Sequence, residues 1–310
     1  MRIDVHAHLW TDEYLDLVEP YGQNTSAHRG VGAGGSPEEL EARLALMDSA
    51  GVDRQVLSVA PRVPHFADEA QAVHAARLAN DLYAGFTTRY PQRFSAFAAL
   101  PLPHLDAALK ELARGLDDLG MVGATVTTAV LGGSLADPSL APLWEELDRR
   151  GTVLYVHPSG EAARTPLIAE HNMRWMVGAP VEDTIAVTHL LLAGIPGRYP
   201  NVKIIISHLG GALPMLLQRI DNQYGWESPG TPEKPSDAAR RLWYDTVGHG
   251  HVPAVRAAAE TLGADRLVLG TDFPYENGDL FRRAIGYIQE GLGADAAGVL
   301  DRNAAALLGL

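Results

Sequence analysis

With 310 residues, 46% of them hydrophobic and 20% charged, the chain has the apolar material for a full core, which excludes a disordered or fibrous protein. The net charge of −13 argues against nucleic acid and anionic membrane surfaces as partners, since both attract basic patches. Cysteine is absent, so disulfides, thiolate metal sites and a cysteine nucleophile are ruled out, and His, Asp and Glu remain as metal ligands.

The chain enters a strand directly at Met1-Arg2-Ile3-Asp4, with no signal-peptide apolar run, and no stretch approaches the ~20 apolar residues of a membrane span. A cytoplasmic protein is expected. Short β-branched runs then alternate with segments of helical period. The predicted strands are Arg2–Val5, Gln55–Val59, Phe94–Leu100, Gly123–Thr127, Val153–Val156, Val202–Ser207, Leu242–Thr246 and Arg266–Gly270. The predicted helices are Pro37–Ala50, Ala67–Arg89, Leu105–Leu119, Leu140–Arg150, Val181–Tyr199, Leu213–Gln223, Val255–Leu262 and Leu280–Gly291, with a last one over Ala296–Leu308. Eight strands each followed by a helix, without a linker, predict an α/β fold, a (β/α)8 TIM barrel forming one domain over 1–310. A doubly wound nucleotide fold would need a glycine fingerprint after its first strand, and Val5-His6-Ala7-His8 is not one.

Two segments fit no regular element. Trp10–Ser36 is read as a lid or small insertion after the first strand, with Gly32-Ala33-Gly34-Gly35-Ser36 as its flexible hinge. Gly225–Asp237, with Pro229, Pro232 and Pro235, is read as a surface excursion or an oligomer contact.

In such a barrel the residues just after strand ends are the candidates for a site. Residues two apart on a strand share a face, so His6 and His8 can aim two imidazoles at one point. His157 follows strand five, His208 follows strand six in Ser207-His208-Leu209-Gly210-Gly211, and Asp272 follows strand eight in Gly270-Thr271-Asp272-Phe273. Five metal-competent side chains thus meet at one rim, and a scatter of twelve histidines does not favour strand ends so heavily. Imidazoles and a carboxylate suit one divalent ion, Zn²⁺ first and Mn²⁺ as the alternative. Strand four ends in Val126-Thr127-Thr128, with no Lys or Glu to bridge a second ion, so a mononuclear site is expected.

These motifs, with Met47-Asp48 ahead of Gly51-Val52, Trp175-Met176-Val177-Gly178, Thr271-Asp272-Phe273-Pro274 and the closing Asn303-Ala304, resemble the amidohydrolase superfamily nearly end to end. The likeness is to its amidohydrolase-related branch of metal-dependent, oxygen-independent decarboxylases, of the aminocarboxymuconate-semialdehyde decarboxylase type. The resemblance implies His6, His8, His157 and Asp272 as metal ligands and His208 as the catalytic acid/base, aided by Asp272. It implies Arg43 as the binder of a substrate carboxylate, Trp175 as a pocket wall and His249 as a further substrate contact. His251 is read as surface, His28 as a lid residue, and His65, His74, His104, His171 and His189 as structural or solvated.

The branch also implies a homodimer in which an arginine reaches the neighbouring subunit's pocket. That position falls near Glu227 here, with Arg240 or Arg241 as substitutes, which puts a dicarboxylate substrate in doubt. The expected function is non-oxidative decarboxylation of a small unsaturated or aromatic carboxylic acid. The alternatives are a lactonase-like hydrolase or hydratase of the same superfamily, and a non-catalytic metal-binding barrel.

Overall fold

The computed structural model describes residues 1–161, 163 and 165–310. Eight strands run β1 Ile3–His8, β2 Arg54–Ser58, β3 Phe94–Ala99, β4 Gly123–Thr127, β5 Val153–His157, β6 Lys203–Ile206, β7 Trp243–Asp245 and β8 Leu267–Val268. All neighbours pair in parallel in the order β1 to β8. The last seam closes through an Ala7–Phe273 bridge and three main-chain bonds, Val5 N–H to Leu269, His8 N–H to Phe273 and Asp272 N–H to His6, at 2.9 to 3.0 Å. The expected (β/α)8 barrel is the one observed.

Helices α1 Asp12–Val18, α2 Pro37–Ala50, α3 Glu69–Arg89, α4 Leu105–Ala113, α5 Ala141–Arg150, α6 Pro166–Glu170, α7 Ala179–Leu192, α8 Ile195–Arg198, α9 Leu213–Glu227, α10 Pro235–Ala239, α11 Val252–Leu262 and α12 Asp279–Leu292 follow in turn. The expected last helix is two, α13 Ala296–Asp301 and α14 Asn303–Leu308, broken at Arg302 where ϕ is −125°. Ile3, Val5, Val56, Phe97, Tyr155, Ile205 and Val268 fill the barrel interior, and Ala304 and Leu307 of α14 pack against that cluster. A larger apolar layer lies between strands and helices.

One irregularity in β1 positions the site. Asp4 opposes Gln55 and Ala7 opposes Leu57, so β1 carries one residue more than β2 over that stretch. A bulge of this kind turns the strand's facing by one position. Ile3 and Val5 therefore point into the barrel, and after the bulge His6 and His8 do so as well. Asp4 is left on the helix side. Its carboxylate accepts from Gln55 Nε2 at 2.8 Å, Thr271 Oγ1 at 2.6 Å and the His6 and Thr271 amides at 3.0 Å.

Arg43 joins this buried network. It donates to Gln55 Oε1 at 2.7 Å and to the His8 carbonyl at 2.8 Å, with its guanidinium 4.5 Å from the centre of the Phe273 ring. Although it is a charged residue on α2, Arg43 is buried, and the cation, held by these partners, packs under the β1–β8 seam.

The loops hold more regular structure than expected. Trp10–Ser36 contains α1, capped by Thr11 and burying Tyr14, Leu15 and Val18, and a turn of 3-10 helix over Ser26–His28. The glycine-rich stretch is not a loose hinge: Ser36 and Glu39 form a capping box on α2, and the Ala33 carbonyl accepts the Trp10 amide at 2.8 Å. The proline-rich stretch takes in the end of α9 and the start of α10, with 228–234 outside any helix between them, and its Pro232 packs against Gly194. A two-stranded hairpin, Ala129–Val130 with Gly133–Ser134, follows β4 and was not expected. Among the described residues, no helix is long and apolar enough to cross a membrane.

Truncating Arg43 to Ala leaves Gln55 and the His8 carbonyl unpaired and opens a cavity below the seam. Urea unfolding is expected to show a loss of about 2–5 kcal/mol, the range for emptying a large buried site; a loss below about 1 kcal/mol would mean the network does not hold the seam.

Candidate active site

At the C-terminal mouth of the barrel, β1 brings His6 and His8, β5 brings His157, and the turns after β6 and β8 bring His208 and Asp272. The ring centres of His6 lie 5.1, 5.0 and 5.1 Å from those of His8, His157 and His208. Ligand atoms of His6, His157, His208 and Asp272 all lie within 4.8 Å of one another. His8 Nε2 is 3.2 Å from the Asp272 oxygen that His6 Nε2 also faces at 3.2 Å. All five expected residues converge.

The backbone that makes this possible is unusual. His208, Leu209, His249 and Asp272 have positive ϕ, from 48° to 59°, although none is glycine. Such conformations cost of order 1–3 kcal/mol each and concentrate at functional sites. Gly270 allows the close approach of three strands: a Cβ there would stand 3.0 Å from the Cβ atoms of both His6 and Asp245.

Two carboxylates outside the expected set orient the rings. Asp245 Oδ2 accepts from His6 Nδ1 at 2.8 Å and from the Tyr155 hydroxyl at 3.1 Å, while its Oδ1 takes the His208 and Val247 amides. Asp183 on α7 accepts from His208 Nδ1 at 2.8 Å and from the Ser207 hydroxyl at 3.0 Å. His157 donates Nδ1–H to the Pro158 carbonyl at 2.8 Å. With those nitrogens engaged, the Nε2 atoms of His6, His157 and His208 are the ones left for the cluster.

His6 Nε2 is fully buried with no hydrogen-bond partner, and so is His8 Nδ1. Burial opposes a charge on His6, yet Asp245 and Asp272 outweigh it and push its pKa up to about 10. Burial drives His8 down to about 4, and burial with the neighbouring imidazoles holds His157 well below its ordinary range. Burial opposes the charged form of Asp272 too, but His6 and His8 hold its pKa well below the carboxylate range. His6 thus takes a second proton, on the Nε2 that faces the ionised Asp272 at 3.2 Å, so the cluster calls for positive charge between these atoms, which a metal ion would supply when bound. The donor set fits one divalent metal ion.

Above the cluster opens a cavity of about 500 Å³ walled by Trp175, Met176, Leu209 and Val247, with His249, His251 and Tyr275 at its rim. Trp175 lies against Gly160, where a Cβ would come within 2.8 Å of its ring. His249 pairs with Glu276 at 2.9 Å. Arg43 does not line the cavity. The expectation that it clamps a carboxylate is corrected, because its hydrogen bonds aim the guanidinium at β1 and β2. His28 is buried edge-on to Trp10, which in turn stacks on His8 at 4.9 Å. Glu227, Arg240 and Arg241 are exposed on α9 and beyond α10, and Arg241 pairs with Glu233.

A barrel whose mouth gathers three strand-borne histidines, a fourth histidine on a carboxylate and one aspartate defines a metal-dependent member of the amidohydrolases. The chain belongs to the amidohydrolase family, which it matches over residues 3–310. It is 27% identical over 332 residues to 2-amino-3-carboxymuconate-6-semialdehyde decarboxylase of Dictyostelium discoideum, covering 100% of this chain and 92% of that one. It is 33% identical over 259 residues to γ-resorcylate decarboxylase of Rhizobium radiobacter, covering 77% and 78%. The crystal structure of a dihydroxybenzoic acid decarboxylase from Polaromonas sp. JS666, with bound manganese and the inhibitor 2-nitroresorcinol, superposes with a TM-score of 0.83 at 26% identity, covering 100% and 97%.

Partners that orient ligating histidines typically contribute 10- to 100-fold in metal affinity. Asp245→Asn is therefore expected to weaken binding of the ion by about that factor in a chelator competition; unchanged affinity would deny His6 its place among the ligands.

Proposed function

We propose that the chain catalyses metal-dependent, non-oxidative decarboxylation of a small unsaturated or aromatic carboxylic acid. The observation that carries this reading is the Asp183–His208 pair, a proton carrier set at the edge of a metal cluster under an apolar-walled cavity. His6, His8, His157 and Asp272 hold the ion in this reading, and His208 is kept free because Asp183 fixes it as an acid/base. When bound, the ion supplies positive charge that holds the substrate's oxygens and draws electron density away from the breaking bond.

The residues do the rest. Trp175, Met176, Leu209 and Val247 grip the apolar body of the acid, and His249 stands where a polar substituent would touch it. As the carbon–carboxylate bond breaks, its electron pair stays on carbon and CO₂ leaves. His208 delivers a proton to that carbon, aided by Asp272, and solvent reprotonates it. Asp183 holds Nδ1–H, keeps Nε2 turned to the substrate and stabilises the imidazolium. Burial opposes that imidazolium, but Asp183 raises the His208 pKa overall, which suits an acid that must be protonated near neutrality.

Zn²⁺ is the ion proposed; Mn²⁺ is the alternative, favoured by the manganese in the Polaromonas relative. A homodimer is also proposed, supported by the exposed Ile185 of α7 and Met215 and Trp226 of α9.

Two measurements test these readings. A panel of aromatic and muconate-type acids is expected to give CO₂ and a product otherwise intact, and His208→Ala to slow this about 10²- to 10⁴-fold with metal content unchanged. Addition of water without CO₂ would select the hydrolase or hydratase, and a loss within tenfold would remove His208 from the reaction. Sedimentation at micromolar concentration is expected to give a dimer, and a monomer there would overturn it.

A further inference from the structure

A second cavity of about 480 Å³ opens beside the first, and Pro61 borders both. Thr127, which lines it, is the register partner of His157 on the adjacent strand, so the two backbones lie one strand spacing, roughly 4.8 Å, apart. Its walls carry Arg62 and Arg174.

Arg62 is 7% exposed and follows the end of β2. Its amide donates to the Val59 carbonyl at 2.9 Å and its own carbonyl accepts from the Tyr14 hydroxyl at 2.6 Å, so its backbone is pinned from both sides. The side chain donates once, to the Asn24 carbonyl at 3.2 Å, and Nε has no partner. Among the described residues no carboxylate pairs with it. Arg174 differs, since it is paired with Glu161. A buried guanidinium without a counter-charge is costly, and an anion from outside removes that cost.

Besides Glu161, which lines the cavity paired with Arg174, two acceptors face the same space. Gln23 Oε1 is buried without a partner. The Thr127 hydroxyl donates to the Ala129 carbonyl and so takes Nδ1–H of His65, which leaves His65 Nε2 as a buried, unpartnered acceptor.

We infer that Arg62, flanked by Arg174, is a second anion-binding subsite, and that the substrate is an aromatic or unsaturated acid carrying a second carboxylate. The first carboxylate sits at the metal cluster and is lost; the second sits on Arg62, with Gln23 and His65 able to take an N–H or O–H beside it. This rests on the decarboxylase reading for which carboxylate reacts, though not for the binding itself. The charge comes from the same chain, so the lack of an arginine at Glu227 does not exclude a dicarboxylate.

The test is calorimetric titration of metal-loaded protein with benzoate, 3-hydroxybenzoate and isophthalate. Isophthalate is expected to bind at least tenfold more tightly than the other two. Arg62→Gln, which keeps volume and loses charge, is expected to remove that advantage while changing benzoate affinity less than threefold; Arg62→Lys should retain part of it. Equal binding of all three acids, an equal gain for 3-hydroxybenzoate, or an isophthalate advantage that survives Arg62→Gln would overturn the subsite. Thermal melting of each variant shows whether it is folded, and Arg62→Lys carries the comparison if Arg62→Gln is not. CO₂ release from the same acids is read separately: its absence together with a retained isophthalate advantage would sink the decarboxylase reading and leave the subsite standing.

Discussion

The seam between β1 and β8 is the constraint on which the rest of the molecule depends. A parallel barrel closes only if its first and last strands meet, and here the last is short, β8 contributing two residues to the ladder. Side chains make up the difference. Asp4 spans the seam to Thr271 and reaches Gln55 on β2, Arg43 braces that pair from α2, and Asp272 comes to lie next to His6. Fold closure and ligand convergence are therefore one event: the interactions that shut the barrel also bring Asp272 to the histidines of β1.

The bulge in β1 turns this closure into chemistry. Without it, a strict two-residue period would put Ile3 and Val5 on one face and His6 and His8 on the other, so either the apolar residues or the imidazoles would miss the interior. One extra residue lets the same strand fill the barrel at its base and supply ligands at its mouth. Carboxylates then fix the tautomers. Asp183 holds the His208 ring and the Ser207 hydroxyl beside it, while Asp245 holds the His6 ring, the Tyr155 hydroxyl and the His208 and Val247 amides, so moving either would disturb both a ring and the turn that carries His208.

Much of this was legible in the sequence because barrel topology makes strand ends meaningful. His6, His8, His157, His208 and Asp272 were all found by that rule, and the structure brings all five together. The same rule, applied evenly, reaches Asp245 at the end of β7 and Arg62 after β2. Neither belongs to the ligand set that the histidines define: Asp245 acts on the ion only through His6, and an arginine cannot be a ligand. Asp183 could not be found this way, since it comes from the middle of α7 and reaches the site only through packing. Arg43, implied by the resemblance as a carboxylate binder, is turned away from the cavity by a buried partner, Gln55, that helical periodicity cannot reveal. The bulge left no mark in residue types, because it is a matter of register between two strands.

The two cavities divide the work in a way that follows from charge. The metal cluster is rich in carboxylates: Asp183, Asp245 and Asp272 surround four imidazoles, and a divalent ion is needed before an anion could approach. In the cavity beside it, the cation is permanent, since a guanidinium stays protonated at any working pH and asks for no cofactor. An acid with two carboxylates would meet a fixed charge on Arg62 and a metal-dependent one on the cluster. Its orientation would then be decided by which end finds Arg62, and the carboxylate left over the cluster is the one beside His208. Selectivity of position, in this arrangement, comes from the cavity that performs no chemistry.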